Sequence, residues 1–374
     1  LRGYIFSSSA IRVTLLFSAL TLPLAYPLSV RPGTTALPGD ADTNLFIWTL
    51  AWDAHALGTA PLSIFDANIY YPQRRTLAYS ENLIGSALVA APVLRVTGNP
   101  VLALNTVALL SVVLCGLGAY FLSRRLGASR HAAVLCGIVF AFSPARFFRI
   151  GQLHLTTVQW MPFALGFLHS YLDGNRARDL RLGLACFSLQ ALTSGHGAVF
   201  LAVAMGLLVV YRLALGEPLD LGRRLRDVGV QGALLLLPAA AIAIPYRLVQ
   251  VEMGLRRSLE NWATTPESFI ASPARVHVAI SSLVTGADSM ETASAFLFPG
   301  YLPLVLAVAA VASIFRRSLP DREGLVSGWR GRLRTSPAAF YALLTVLTAC
   351  LAAGPPIGLW PLVYWLPGFN FVRV

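Results

Sequence analysis

The stretch PGDADTNLFIWTLAW, residues 38–52, governs how the chain is read. Asp40 and Asp42 stand at the mouth of a turn, and an aromatic, mostly apolar segment follows them. From Thr43 to Leu57, the residues Leu45, Trp48, Trp52 and Leu57 recur at helical spacing, with Asp42 or Thr43 placed to serve as N-cap. Just before this stretch, Ile11 to Val30 is apolar enough to cross a bilayer. The acidic pair is therefore expected where the chain leaves a membrane. The helix after it would lie in the interface, its tryptophans at headgroup depth.

Composition agrees with a membrane reading. The 374 residues are 56% hydrophobic and 12% charged, and apolar runs near the length of a span recur along the chain. The net charge of +12 invites a nucleic-acid partner, which is rejected. Every basic residue is arginine, and most sit in short clusters between apolar runs, as cytoplasmic anchors do. Cys115, Cys136, Cys186 and Cys350 lie in or beside apolar stretches without zinc-ligand spacing, and read as small buried hydrophobes. A start at Leu1 and an end at FNFVRV suggest a piece of a longer chain, its first apolar run an uncleaved helix.

Taken in order, the apolar runs are 11–30, 100–122, 131–143, 155–172, 182–193, 198–213, 229–244, 298–315 and 338–353. They predict an all-α polytopic membrane protein of about nine transmembrane helices, one domain over 1–374 with its N-terminus in the cytoplasm. Two long external loops follow from the arginine bias, 31–99 and 245–297, the first carrying interfacial helices near 43–57 and 82–96. The SGHG break at 194–197 suggests a broken or re-entrant pair.

Candidate chemistry gathers at few places. Two carboxylates as close as Asp40 and Asp42 repel, so one should have a raised pKa unless a cation or donor is nearby. Such a pair suits a general base for an acceptor hydroxyl, or a divalent metal held against a phosphate; a solvated loop with an Asp N-cap is the competing reading. In SPARFFRIGQLHLTTVQWMPF, residues 143–163, Arg146 and Arg149 are spaced to face one anion, with His154 and Gln159 at the start of a run. His196 stands between Gly195 and Gly197 at the chain break. Weaker candidates are Glu291, Arg373 and Tyr71, the tyrosine in a Tyr-rich stretch that could line a sugar or lipid groove. Glu81 and Asn82 read as a capping arrangement at the start of a short helix.

The chain has no GxxxxGK[ST], HExxH or CxxC, and no string of acids within the apolar runs. In GDADTNLFIWTLAW (39–52), YYPQRRTLAYSENLIGS (70–86), residues 143–163, FPGYLPL (298–304) and FNFVRV (369–374), it resembles the integral-membrane glycosyltransferases of the GT-C fold superfamily.

That resemblance implies a GT-C-like fold and an enzyme that transfers a sugar from a polyprenyl-phosphate donor to a glycan, lipid or protein acceptor by inverting displacement. Asp40 would be the base with Asp42 its rival, and Arg146 and Arg149 would hold the lipid-linked phosphate. His154 and Gln159 would line the cavity, and Glu291 would be the second external acid. Some members of the superfamily bind a divalent metal and others do not. Mg²⁺ or Mn²⁺ at Asp40 and Asp42 is thus an option, not a requirement. The expected location is a bacterial inner membrane, with the site on the external face. The alternatives are a lipid flippase or transporter, and a non-catalytic membrane assembly protein.

Overall fold

The computed structural model describes residues 8–215, 220–254, 264–285, 293, 295–316, 333, 336–354, 359–366 and 369. Among the described residues the regular structure is helical and no strand occurs. The chain divides into two compact units. The first comprises Leu1–Phe142, Arg146–Leu201 and Arg226–Leu255; the second comprises Ser143–Ala145, Ala202–Leu225 and Arg256–Val374.

The first unit is built around α4 (Pro100–Arg125). Its start is fixed by Asn99, whose side chain accepts a hydrogen bond from Leu102 N at 2.9 Å, and by Pro100 in the first turn. Arg124 and Arg125 close it, their charge suited to the negative end of the helix dipole. Against α4 pack α1 (Ser8–Leu24), α2 (Ala41–Thr59), α3 (Ile84–Thr97), α5 (Arg130–Ala141) and α8 (Trp160–Gly174). Two single turns, α6 (Pro144–Phe147) and α7 (Leu153–Thr156), lie between α5 and α8, and α9 (Ala177–Thr193) packs along α8 and α3.

One contact locks α1 to α4 and α5. The Phe17 ring is wholly buried against Gly116 and Gly137, where an added Cβ would lie 3.0 Å and 2.4 Å from ring carbons. The apolar core joins α2 (Phe46, Leu50), α3 (Ala87, Ala90) and α4 (Leu104, Val107) to Leu83, Ile150 and Leu153. Each large side chain buried there contributes roughly 1.5–3 kcal/mol, so the segment around 150–153 is held to the start of α2 by apolar packing.

α10 (Gly195–Leu215) leaves the first unit at Leu201, and α11 (Leu221–Leu235) enters it at Arg226. α12 (Leu237–Met253) follows α11 at a bend of 70°. Pro238 in the first turn of α12 has no N–H to carry the helix through. The second unit contains α13 (Arg275–Thr285), α14 (Tyr301–Arg316), α15 (Pro337–Ala352) and α16 (Leu359–Val363), with α14 packed on α15.

The expected topology needs correction. Among the described residues only α4 and α10 are long and apolar enough to cross a membrane, and the count reaches three if the bent α11–α12 pair is one span. This is not the nine-span protein that the apolar runs suggested. Several runs became helices too short for a bilayer. α5 has 12 residues, about 18 Å of helix, against a hydrocarbon core of about 30 Å. α1 stops at Leu24, and the chain turns through Ala25–Val30 at Pro27.

The interfacial role of α2 also falls. Its Thr43, Phe46, Leu50 and Asp53 are buried in the protein, and the Trp52 indole donates to Ile64 O at 2.8 Å rather than standing at a headgroup. The expected loop 245–297 contains the end of α12 and all of α13.

Candidate functional site

Asp40, rather than Asp42 or Thr43, is the N-cap of α2. Its Oδ1 accepts from Thr43 N at 2.8 Å and Thr43 Oγ1 at 2.7 Å, and its Oδ2 accepts from Gln152 Nε2. Gln152 Oε1 in turn accepts from Arg149 Nη1 at 3.2 Å. Partial burial raises the Asp40 pKa most, but the hydrogen bonds from Thr43 and Gln152 together outweigh it and hold the carboxyl below its ordinary value. These donors meet the exception to the raised pKa expected of a close acidic pair. A carboxylate so well solvated by donors is a weak proton acceptor.

The segment after α6 reaches this cap through a close backbone approach. Gly151 N donates to Leu37 O at 2.8 Å, and a Cβ on Gly151 would stand 2.2 Å from that oxygen. Only glycine fits there. The two stretches singled out in the sequence, 38–52 and 143–163, are therefore joined in space.

Behind that junction lies a denser group of titratable side chains. Glu81 accepts hydrogen bonds from Gly195 N at 2.6 Å and His196 N at 3.1 Å, at the N-terminus of α10. Its Oε1 also pairs with His196 Nδ1. Ser194 secures the same turn, accepting from Gly197 N at 3.0 Å while donating to His154 O at 2.8 Å. The His154 ring lies 4.7 Å from Phe46 and meets His196 edge-on at 5.6 Å.

These groups set one another's charge. Burial alone would raise the Glu81 pKa, but the charge and hydrogen bond of His196, the charge of His154 and the Gly195 N–H bring it below the ordinary value. Glu81 is an anion at neutral pH. Burial pushes His154 down to about 4, with Glu81 and Asp42 opposing that shift and His196 and Arg149 adding to it. His154 is a neutral imidazole at neutral pH. Its dependence on both Asp42 and Arg149 shows that the cap of α2 and the Glu81 group share one electrostatic neighbourhood.

Of the residues marked in the sequence, Asp40, Asp42, Arg149, His154 and His196 come together here. Arg146 does not. Its guanidinium donates to the carbonyls of Phe140 and Ala141 and to Cys115 Sγ, closing the C-terminus of α5. Gln159 is buried and accepts from Ser111 Oγ at 2.8 Å. Tyr71 is 97% exposed. Glu291 and Arg373 lie outside the described residues.

From its position in the sequence, Glu81 reads as a helix cap. It does cap a helix, but α10 rather than the adjacent α3, and no local spacing encodes a partner 115 residues away. Gln152 was missed for the same reason.

The acidic pair does not fit a divalent metal. Both Asp40 oxygens are engaged by Thr43 and Gln152, and among the described residues no three His, Cys, Asp or Glu side chains converge to hold a metal ion.

Comparison with models of protein families, with curated proteins and with solved structures gave no match to this chain. The resemblance to the GT-C superfamily is therefore withdrawn, and with it the reading as a membrane glycosyltransferase. The flippase and assembly-protein alternatives, the polyprenyl-phosphate donor and bilayer as partners, and the multi-pass inner-membrane location all assumed the same crossings. The helix lengths do not support those crossings.

Proposed function

We propose that the chain is an enzyme in which Glu81 and His196 work as a general acid–base pair on a substrate hydroxyl or water. The observation that carries this reading is the Glu81 carboxylate on His196 Nδ1. A carboxylate at one imidazole nitrogen fixes the tautomer and raises the basicity of the other, Nε2, which then accepts the substrate proton. Glu81 remains ionised throughout and stabilises the imidazolium as it forms. The neutral edge of His154 beside His196 keeps a second positive charge away from that imidazolium. Arg149, whose charge acts on His154 and whose Nη1 donates to Gln152, is assigned the negative charge developing on a leaving group.

The test is turnover of chromogenic p-nitrophenyl esters, phosphates and glycosides by the purified chain and by His196→Gln and Glu81→Gln. General-base catalysis predicts hydrolysis of at least one class, lowered on the order of 10²–10⁴-fold by His196→Gln. Circular dichroism should show the fold kept. No turnover of any class, or turnover untouched by His196→Gln, would sink the proposal.

A second reading has its own support, since Glu81 also accepts two backbone N–H groups at α10. If Glu81→Gln lowers only stability, the pair is a clasp for that helix.

A further inference from the structure

Behind the same junction, α2 buries an acid that the proposed chemistry does not use. Asp53 is fully buried, and its Oδ2 accepts from Leu83 N at 3.1 Å, at the N-terminus of α3. Its Oδ1 is buried with no hydrogen-bond partner. Asn82, just before Leu83, and Ser86, three residues after it, carry two more such oxygens. Asn82 Oδ1 and Ser86 Oγ are also buried and unpartnered, in residues 0% and 3% exposed.

The amide orientation of Asn82 follows from its neighbour. Tyr246 has one hydroxyl proton, which it donates to Ser80 O at 2.9 Å, so it can only accept from Asn82 N at 2.6 Å and Nδ2 at 3.4 Å. This holds Nδ2 towards the tyrosine and turns Oδ1 away from it. The first turn of α3 is itself pinned, because a Cβ on Gly85 would meet Thr193 Oγ1 of α9 at 2.7 Å.

We infer that Asp53 Oδ1, Asn82 Oδ1 and Ser86 Oγ form a buried site for a hard monovalent cation of the sodium type. The donor set is all oxygen, as a hard cation requires. One carboxylate with a neutral amide and a neutral hydroxyl balances a single positive charge and not two. No arginine or histidine pairs with Asp53 in any ion pair or hydrogen bond of the described residues. Burying that carboxylate uncompensated costs several kcal/mol, and a bound cation removes the cost. Without one, burial pushes the Asp53 carboxyl up to about 7, so proton and cation compete for the same oxygen.

The experiment is thermal unfolding of the full chain at pH 8 in sodium, lithium, potassium or choline chloride at equal ionic strength, with ²³Na line broadening as a direct reading. Above saturation, each tenfold rise in sodium should lift the midpoint by about 2 °C. Choline should do nothing, and Asp53→Asn should remove both the rise and the broadening. If Asp53→Asn does not fold, Ser86→Ala should weaken both. Equal midpoints in all four salts mean that water or a proton satisfies these oxygens, and overturn the site. A sodium response that survives in Asp53→Asn and Ser86→Ala places the ion elsewhere, and overturns it equally.

Discussion

Gly151 N donates to the carbonyl of Leu37 at 2.8 Å, and through that bond the turn carrying Arg149, Gln152 and His154 is laid against the cap of α2. The approach leaves no room for a side chain. Gly151→Ala must push the two segments apart, with overpacking that costs about 1–3 kcal/mol. Urea denaturation should record the loss. If the site is assembled as described, turnover should fall further than stability alone explains.

Asp40 belongs to the start of α2 more than to proton transfer. Asp40→Ala should cost about 1 kcal/mol of stability, as removal of an N-cap does, while Asp40→Asn keeps most of it. Chemical denaturation of the two variants tests this ranking. Because its pKa is depressed, the carboxylate's contribution is present above the ordinary value of 3.8 and fades as pH falls through the folded value.

Two buried groups should bend the pH dependence of stability in opposite ways. Asp53, raised to about 7, stabilises as a neutral acid fully below 3.8, and that contribution is lost as pH rises through 7. His154, lowered to about 4, stabilises as a neutral imidazole above 6.5, and its contribution is lost as pH falls through 4. Midpoints measured from pH 3 to 9 in choline chloride should therefore fall on both flanks. Asp53→Asn should flatten the alkaline flank and His154→Asn the acid one. An unchanged alkaline flank in Asp53→Asn would refute the assignment.

Arg146 and Arg149 should separate cleanly despite standing three residues apart. Arg146→Ala strips donors from the last carbonyls of α5 and should destabilise the fold by about 1–3 kcal/mol. Arg149→Ala should leave the unfolding midpoint nearly unchanged and lower turnover of substrates with anionic leaving groups. Paired denaturation and kinetic measurements distinguish them.

Helices were legible where the apolar period was long. The starts of α3, α4, α14 and α15 fall within three residues of the expected runs, and Ser194 breaks the chain where SGHG suggested. Bilayer crossing was not legible, because an apolar run does not say whether its helix is covered by lipid or by another helix. Val13 and Phe17 of α1 and Ala133 and Ala141 of α5 are buried against protein. Of the site, the sequence marked Asp40 with Asp42, Arg149 with His154, and His196 as three separate groups. Their meeting depends on a glycine contact and a Glu81 pairing across more than a hundred residues, which local spacing cannot carry.

The Phe17 contact has a bearing on how the first unit can change over time. Gly116 and Gly137 are small because one aromatic ring occupies the space beside both. The ring and Gly116 share one fixed volume, so a methyl at position 116 is admissible only after the ring at position 17 has shrunk, whereas a methyl at position 137 would also meet the Gly116 carbonyl at 2.8 Å. Substitutions at 17 and 116 would be expected to arrive in order, ring first, and a chain that took them in the reverse order would pass through an intermediate with α1 levered off α4 and α5.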